Sequence, residues 1–202
     1  GLILENGRSL LAMIQGVLDL AGAEDAELIL DLEPVDVAEL IEQIDVGSRM
    51  AAERAGLIYA SKVEPGLAPV LAEPRRLRRM LEALLGNAIK FNRGGGRVTL
   101  SARSDDEGRL LLQVEDSGIG MAPETITHAL KPFGQADRRL ARRYSGAGVG
   151  LPLTRRLAAL QGAELEIESR EGEGTLATLR FPAHRADDST AVEPRAASAG
   201  SG

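Results

Sequence analysis

Glycine placement constrains this chain more than any other feature. Three clusters lie at the borders of apolar-periodic segments. Asp116-Ser117-Gly118-Ile119-Gly120-Met121 directly follows a strand pattern, Gly146-Ala147-Gly148-Val149-Gly150-Leu151 directly precedes a helix pattern, and Gly172-Glu173-Gly174-Thr175 separates two strand patterns. Glycine after a strand lets backbone approach a ligand closely. Glycines that open a helix leave N–H groups free to hold phosphate, helped by the helix dipole. Each cluster alone reads first as a turn, and neither a P-loop nor a dinucleotide fingerprint stands in its required strand–helix setting.

The hydrophobic pattern sets the elements between these clusters. Residues 2–21 read as one helix, with Leu4, Leu10, Leu11, Ile14, Val17 and Leu18 on one face, a stripe suited to a coiled-coil or bundle seam. Residues 27–35 form a short extended stretch. Asp36 is then placed as an N-cap with Glu39 three residues on, a capping box, opening a helix to about Arg54 that turns Val37, Leu40, Ile41 and Ile44 inward. Residues 57–63 are a strand candidate and residues 65–69 a loop. Pro74 suits the first turn of a helix that reaches about Phe91, with Leu77, Met80, Leu81, Leu84 and Ala88 on its core face.

Gly94, Gly95 and Gly96 break that helix. Val98, Leu100 and Ala102 alternate with polar residues, as do Leu110, Leu112 and Val114, and residues 105–108 between them predict a hairpin turn. A short helix over 123–130, a basic segment over 137–145, a helix over 150–161 and strands near 164–169 and 175–181 follow. The composition of the last twenty residues predicts a disordered tail. Helices and antiparallel hairpins without regular βαβ alternation predict an α+β sandwich led by one long helix.

Composition excludes several function classes. The chain has 202 residues, which suits one domain plus extra elements. It has no cysteine and two histidines, so disulfides, thiolate sites and His-rich metal sites are out, in keeping with a cytoplasmic location. Aromatics are 2% without tryptophan and the net charge is -6, which argues against base-stacking platforms and polyanion wrapping. No apolar run approaches the about 18 residues of a membrane span.

Asn87 and Lys90, three apart on one helix, share a face where an amide oxygen can ligate Mg²⁺ and an ammonium can meet phosphate. In order, the chain then reads Leu81-Glu82-Ala83-Leu84-Leu85-Gly86-Asn87-Ala88-Ile89-Lys90-Phe91, the Asp116 cluster, Lys131-Pro132-Phe133-Gly134-Gln135, the Gly146 cluster and the Gly172 turn. This succession resembles the N, G1, F, G2 and G3 boxes of bacterial sensor histidine kinases. Asn6-Gly7-Arg8-Ser9-Leu10-Leu11 and Val17-Leu18-Asp19-Leu20 likewise resemble the second helix of that family's dimerisation and phosphotransfer hairpin.

The resemblance implies the two-layer α/β sandwich of the histidine kinase, gyrase and Hsp90-type ATPases. It divides the chain into a partial hairpin helix over 1–26, a catalytic ATP-binding domain over 27–182 and a tail over 183–202. It implies ATP and Mg²⁺ as cofactors, homodimerisation through the hairpin in the intact protein, and a response regulator as partner. Asn87 would ligate Mg²⁺, Lys90 would contact phosphate and Phe91 would border the nucleotide. Asp116 would take the adenine amino group, with Gly118 and Gly120 allowing close approach and Thr175 supporting the adenine end. Arg142 would reach the terminal phosphate with Tyr144 beside it, and Gly146, Gly148 and Gly150 would form the phosphate-facing hinge.

Three departures matter. The acceptor motif His-Glu/Asp-Leu-Arg-Thr-Pro is absent, and neither His128 nor His184 carries it, so the chain alone is expected not to phosphorylate itself. Ala83 stands where a further asparagine is usual, and Ala147 where threonine or serine is commoner. The alternative function is therefore a kinase-deficient signalling module that works by conformational coupling and regulator binding. Arg75, Arg76, Arg78 and Arg79 form a basic cluster read first as a solvated face, with contact to the leading helix or another domain as its alternative.

Overall fold

The computed structural model describes residues 31–131 and 149–183. The leading helix, the basic segment over 137–145 and the tail beyond 183 lie outside the described residues.

The elements run β1 (Glu33–Val35), α1 (Val37–Arg54), β2 (Ile58–Val63), β3 (Val70–Ala72), α2 (Pro74–Lys90), β4 (Arg97–Ser104), β5 (Leu110–Asp116), α3 (Pro123–Ala129), α4 (Gly150–Leu160), β6 (Glu164–Arg170) and β7 (Gly174–Phe181). Five strands form one sheet in the order β2-β4-β5-β7-β6. β2 runs parallel to β4, and every other neighbouring pair is antiparallel. The parallel pair departs from an all-hairpin reading. It arises because β3 and α2 intervene between β2 and β4, and such a crossover is what a parallel pair requires. β3 is a second departure: it pairs antiparallel with β1 as a separate ribbon, Glu33 opposite Ala72.

Inner residues of the sheet sit on one another in rungs. Leu100 faces Val114, Ala102 faces Leu112, and Leu112 in turn faces Leu179. Each of these is essentially inaccessible to water, and burying a large aliphatic side chain contributes about 1.5–3 kcal/mol. α1 and α2 bring the expected Val37, Leu40, Ile41, Ile44, Leu77, Met80, Leu81, Leu84 and Ala88 onto this layer, joined by Leu85. The other sheet face is polar. There Gln113 donates to the Thr178 hydroxyl at 3.1 Å and Arg103 donates to Gln113 at 3.2 Å. The result is the predicted α+β two-layer sandwich.

Helix ends follow local chemistry. The Asp36 carboxylate accepts from the backbone N–H groups of Ala38 and Glu39, at 2.8 and 3.1 Å. The reciprocal half of the predicted capping box does not form: the Glu39 carboxylate accepts from Gln43 instead. Pro74 opens α2 as expected. α2 and α4 lie antiparallel. The Gln161 side-chain oxygen accepts from the Glu73 backbone N–H at 2.7 Å at one end, and Gly150 adjoins Asn87 at the other. No helix among the described residues is long and apolar enough to cross a membrane.

Candidate functional site

The site begins where β5 ends. Asp116 and Thr175 are partners across β5 and β7, so the sheet brings the first and third glycine clusters side by side although nearly sixty residues separate them. One Asp116 carboxylate oxygen accepts from the Gly118 N–H at 2.8 Å, turning the chain back on itself. A side chain on Gly118 would collide with the Phe91 carbonyl and come within 2.7 Å of that carboxylate. Gly120, at φ +63, abuts the Arg170 carbonyl, and Gly174, at φ +113, abuts the Asp116 carbonyl. Glycine is thus required at each of these positions by the crowding of backbone against backbone.

Two more bonds fix this corner. The Ile119 N–H donates to the Phe91 carbonyl at 3.0 Å, and the Gly172 N–H donates to the Ile119 carbonyl at 2.7 Å. The loop after β5 therefore bridges the end of α2 and the β6–β7 turn. Ser169, which sequence reading missed, is the junction: its hydroxyl donates to the Gly174 carbonyl and accepts from the Met121 N–H, both at 2.8 Å. Its only proton is committed there, so the Thr175 hydroxyl donates across the 2.9 Å between them. Ser169 had a signal in the sequence, as a polar residue in the inward register of Leu165 and Ile167.

Burial pushes the Asp116 carboxyl from 3.8 up to about 6, although backbone N–H groups of Gly118 and Thr175 and the neighbouring Glu115 also act on it, the first two downward and the last upward. Above that range the carboxylate and the remaining Thr175 lone pairs are both acceptors, so this corner suits a ligand edge that donates.

The end of α2 beside this corner carries a cation. Lys90 and Phe91 terminate α2, with the Lys90 ammonium 4.8 Å from the centre of the Phe91 ring. Partial burial pushes the Lys90 ammonium below its ordinary value. Asn87 lies one turn earlier, and a methyl on Gly150 would come within 3.7 Å of its amide nitrogen. The structure thus brings Asn87, Lys90, Phe91, Asp116, Gly118, Gly120, Thr175 and Gly150 around one region between α2, the loop after β5 and the start of α4. Arg142, Tyr144, Gly146 and Gly148 lie outside the described residues. His128 sits exposed on α3.

Residues 72–185 match the family described as histidine kinase-, DNA gyrase B-, and HSP90-like ATPase. The chain is 37% identical over 199 residues to a sensor-like histidine kinase of Rhizobium meliloti, taking in 98% of this chain and 37% of that protein. It is 31% identical over 191 residues to the cell-division control histidine kinase PdhS of Brucella anthropi, taking in 91% of this chain and 18% of that one. Among solved structures, full-length ShkA in complex with AMPPNP matches at a TM-score of 0.77 and 33% identity, over 88% of this chain and 36% of ShkA. The histidine kinase AdeS of Acinetobacter baumannii shares the fold at a TM-score of 0.72 and 20% identity, over 90% and 82%. The chain therefore spans well under half the length of the curated relatives it matches. It belongs to the histidine kinase-, DNA gyrase B- and HSP90-like ATPase family, as the ATP-binding catalytic domain of a histidine kinase.

Proposed function

We propose that the intact protein transfers the γ-phosphoryl group of ATP to a histidine outside this chain and passes it onward to a response regulator. Residues 27–182 form the catalytic unit, and residues 1–26 belong to a hairpin through which two copies pair. The whole acts on the cytoplasmic side.

The observation that carries this reading is the acceptor pair at the paired ends of β5 and β7. Asp116 and Thr175 both present acceptors, which suits the exocyclic amine of adenine and opposes the carbonyl that guanine has at the same position. Gly118 and Gly120 let the base approach without a side chain in its way. Lys90 neutralises phosphate charge, and the phosphates run toward Gly150 at the α4 N-terminus, where Gly146 and Gly148 add backbone N–H groups and Arg142, with Tyr144 beside it, reaches the terminal phosphate.

Asn87 would hold Mg²⁺ through its side-chain oxygen. The donor set fits such an ion. The Asn87 amide is partly exposed beside Gly150, and Mg²⁺ characteristically keeps several waters and takes its remaining ligands from one or two protein oxygens and substrate phosphates. When bound, the ion would neutralise phosphate charge; the chain itself binds, orients and aligns.

Calorimetry with a non-hydrolysable ATP analogue and its guanine counterpart tests the reading. Mg²⁺-dependent binding of the adenine analogue alone is expected, and no binding by folded protein at millimolar ligand overturns it. Labelled ATP with a separately supplied hairpin should then yield acid-labile phosphate. Binding without transfer would instead favour a kinase-deficient signalling module.

A further inference from the structure

The opening of α2 is electrostatically reversed. A helix N-terminus carries partial positive charge and favours acidic residues. Here the first turns hold Arg75, Arg76, Arg78 and Arg79, the first turn contains no acidic residue, and Glu73 at the cap makes no side-chain capping bond. Arg79 has a partner, and the other three are answered unevenly among the described residues. Arg76 pairs with Glu73 at 2.6 Å through Nε, yet its buried Nη1 has no acceptor among the described residues. Arg78 donates to the Gln43 side-chain oxygen and lies 3.9 Å from Glu82. Arg75 is exposed.

A segment of opposite charge precedes β1 in the chain. β1 is antiparallel to β3 with Glu33 opposite Ala72, so the described chain enters β1, through Asp31 and Leu32, from the side of Glu73 and Arg75. That upstream chain reads Glu24-Asp25-Ala26-Glu27-Leu28-Ile29-Leu30-Asp31, and no basic residue occurs between Arg8 and Arg49. Glu27 is six residues from Glu33, within about 20 Å of it even at full extension.

We propose that the acidic stretch over residues 24–31 docks in cis on the arginine cluster that opens α2. The unfavourable charge at the helix start is neutralised by carboxylates of the chain that enters beside it. The contact ties the leading segment to the catalytic domain by charge, so ionic strength and substitutions in either stretch tune how freely the two move relative to one another.

The absence of native cysteine makes introduced pairs unambiguous. In the full chain, Ala26→Cys with Arg75→Cys should form an intramolecular disulfide at least about tenfold faster than Ala26→Cys with Glu168→Cys, as a raised effective concentration demands. The advantage should disappear in about 1 M salt, where charges are screened within about 3 Å. It should also fall when Glu24, Asp25 and Glu27 become lysine, and return when Arg76 and Arg79 become glutamate in that background. Equal rates for the two pairs, or an advantage indifferent to salt and charge reversal, would overturn the proposal. A disulfide between two chains would overturn the cis assignment. Thermal melts confirm that each variant is folded.

Discussion

Asn87 and Gly150 face each other across the packed helices α2 and α4, and a methyl on Gly150 would make only an ordinary 3.7 Å contact with the Asn87 amide. Nothing among the described residues forbids a side chain there. Gly150→Ala should therefore leave stability within about 0.5 kcal/mol of the parent while weakening nucleotide binding at least about tenfold. Thermal melts and calorimetry separate the two effects; a large loss of stability would give Gly150 a structural reason instead.

Gly120→Ala and Gly174→Ala should behave in the opposite way. Each would drive a methyl into a backbone carbonyl, from a positive φ. A cost of about 2–4 kcal/mol is expected from strain and displaced strands, seen as a lowered urea midpoint with or without ligand.

Asp116 should give a stability profile of unusual sign. Its carboxyl is raised to about 6 by burial. The folded state then binds more protons than the unfolded one between about pH 4 and 6, so stability falls as pH rises through that window and is level above it. Asp116→Asn should remove this slope and stabilise the empty domain near pH 7 by about 1 kcal/mol, after discounting the exposed part of the carboxylate. The same change should weaken ATP-analogue binding by about 1–3 kcal/mol, because a charged acceptor is lost. In the parent, that binding should weaken as pH falls below about 6, where the carboxylate takes up its proton. Urea melts from acid to neutral pH, with calorimetry alongside, check both.

Ala83 lies one helical turn before Asn87 on α2 and is partly exposed. Asn87→Ala should abolish the Mg²⁺ dependence of nucleotide binding, and Ala83→Asn should strengthen it by adding a second amide on the same face. Titrations with and without Mg²⁺ measure both; an unchanged Ala83→Asn would mean the methyl is neutral to metal binding.

Gln161 accepts from the Glu73 backbone and donates to the Leu157 carbonyl at 3.0 Å while itself 5% exposed. Gln161→Leu keeps the bulk and strands the Glu73 N–H. A loss of about 1–3 kcal/mol is expected, measured by denaturant unfolding, with Gln161→Glu recovering part of it.

Elements set by one residue's neighbours in sequence were legible: the Asp36 cap, the inward stripes of α1 and α2, the turn over 105–108. The placement of Asp116 at the end of a strand, before a glycine turn, was legible in the first cluster. Features set by distant partners were not. β3 has three residues and forms only because β1 lies beside it. The β2–β4 direction depends on a crossover that periodicity does not encode. Leu111 points to the polar face of the sheet by alternation, yet it is 5% exposed, lying between Arg103 and Arg180 across the ladder, whose aliphatic stems can cover it. Ser169 became meaningful only when β6 placed its hydroxyl against Gly174 and Met121.

The ladder between β5 and β7 joins residues 110–116 to 175–181 in seven successive pairs. Everything from Ser117 to Gly174 is consequently an excursion whose two ends are clamped by the sheet. Doubling the length of such an excursion costs only about 0.6 kcal/mol in closure entropy. Within it β6 is held by the same sheet, α4 by the core and Gly118, Gly120 and Gly174 by backbone crowding, so changes of length are tolerated between those elements while Asp116 and Thr175 stay in register.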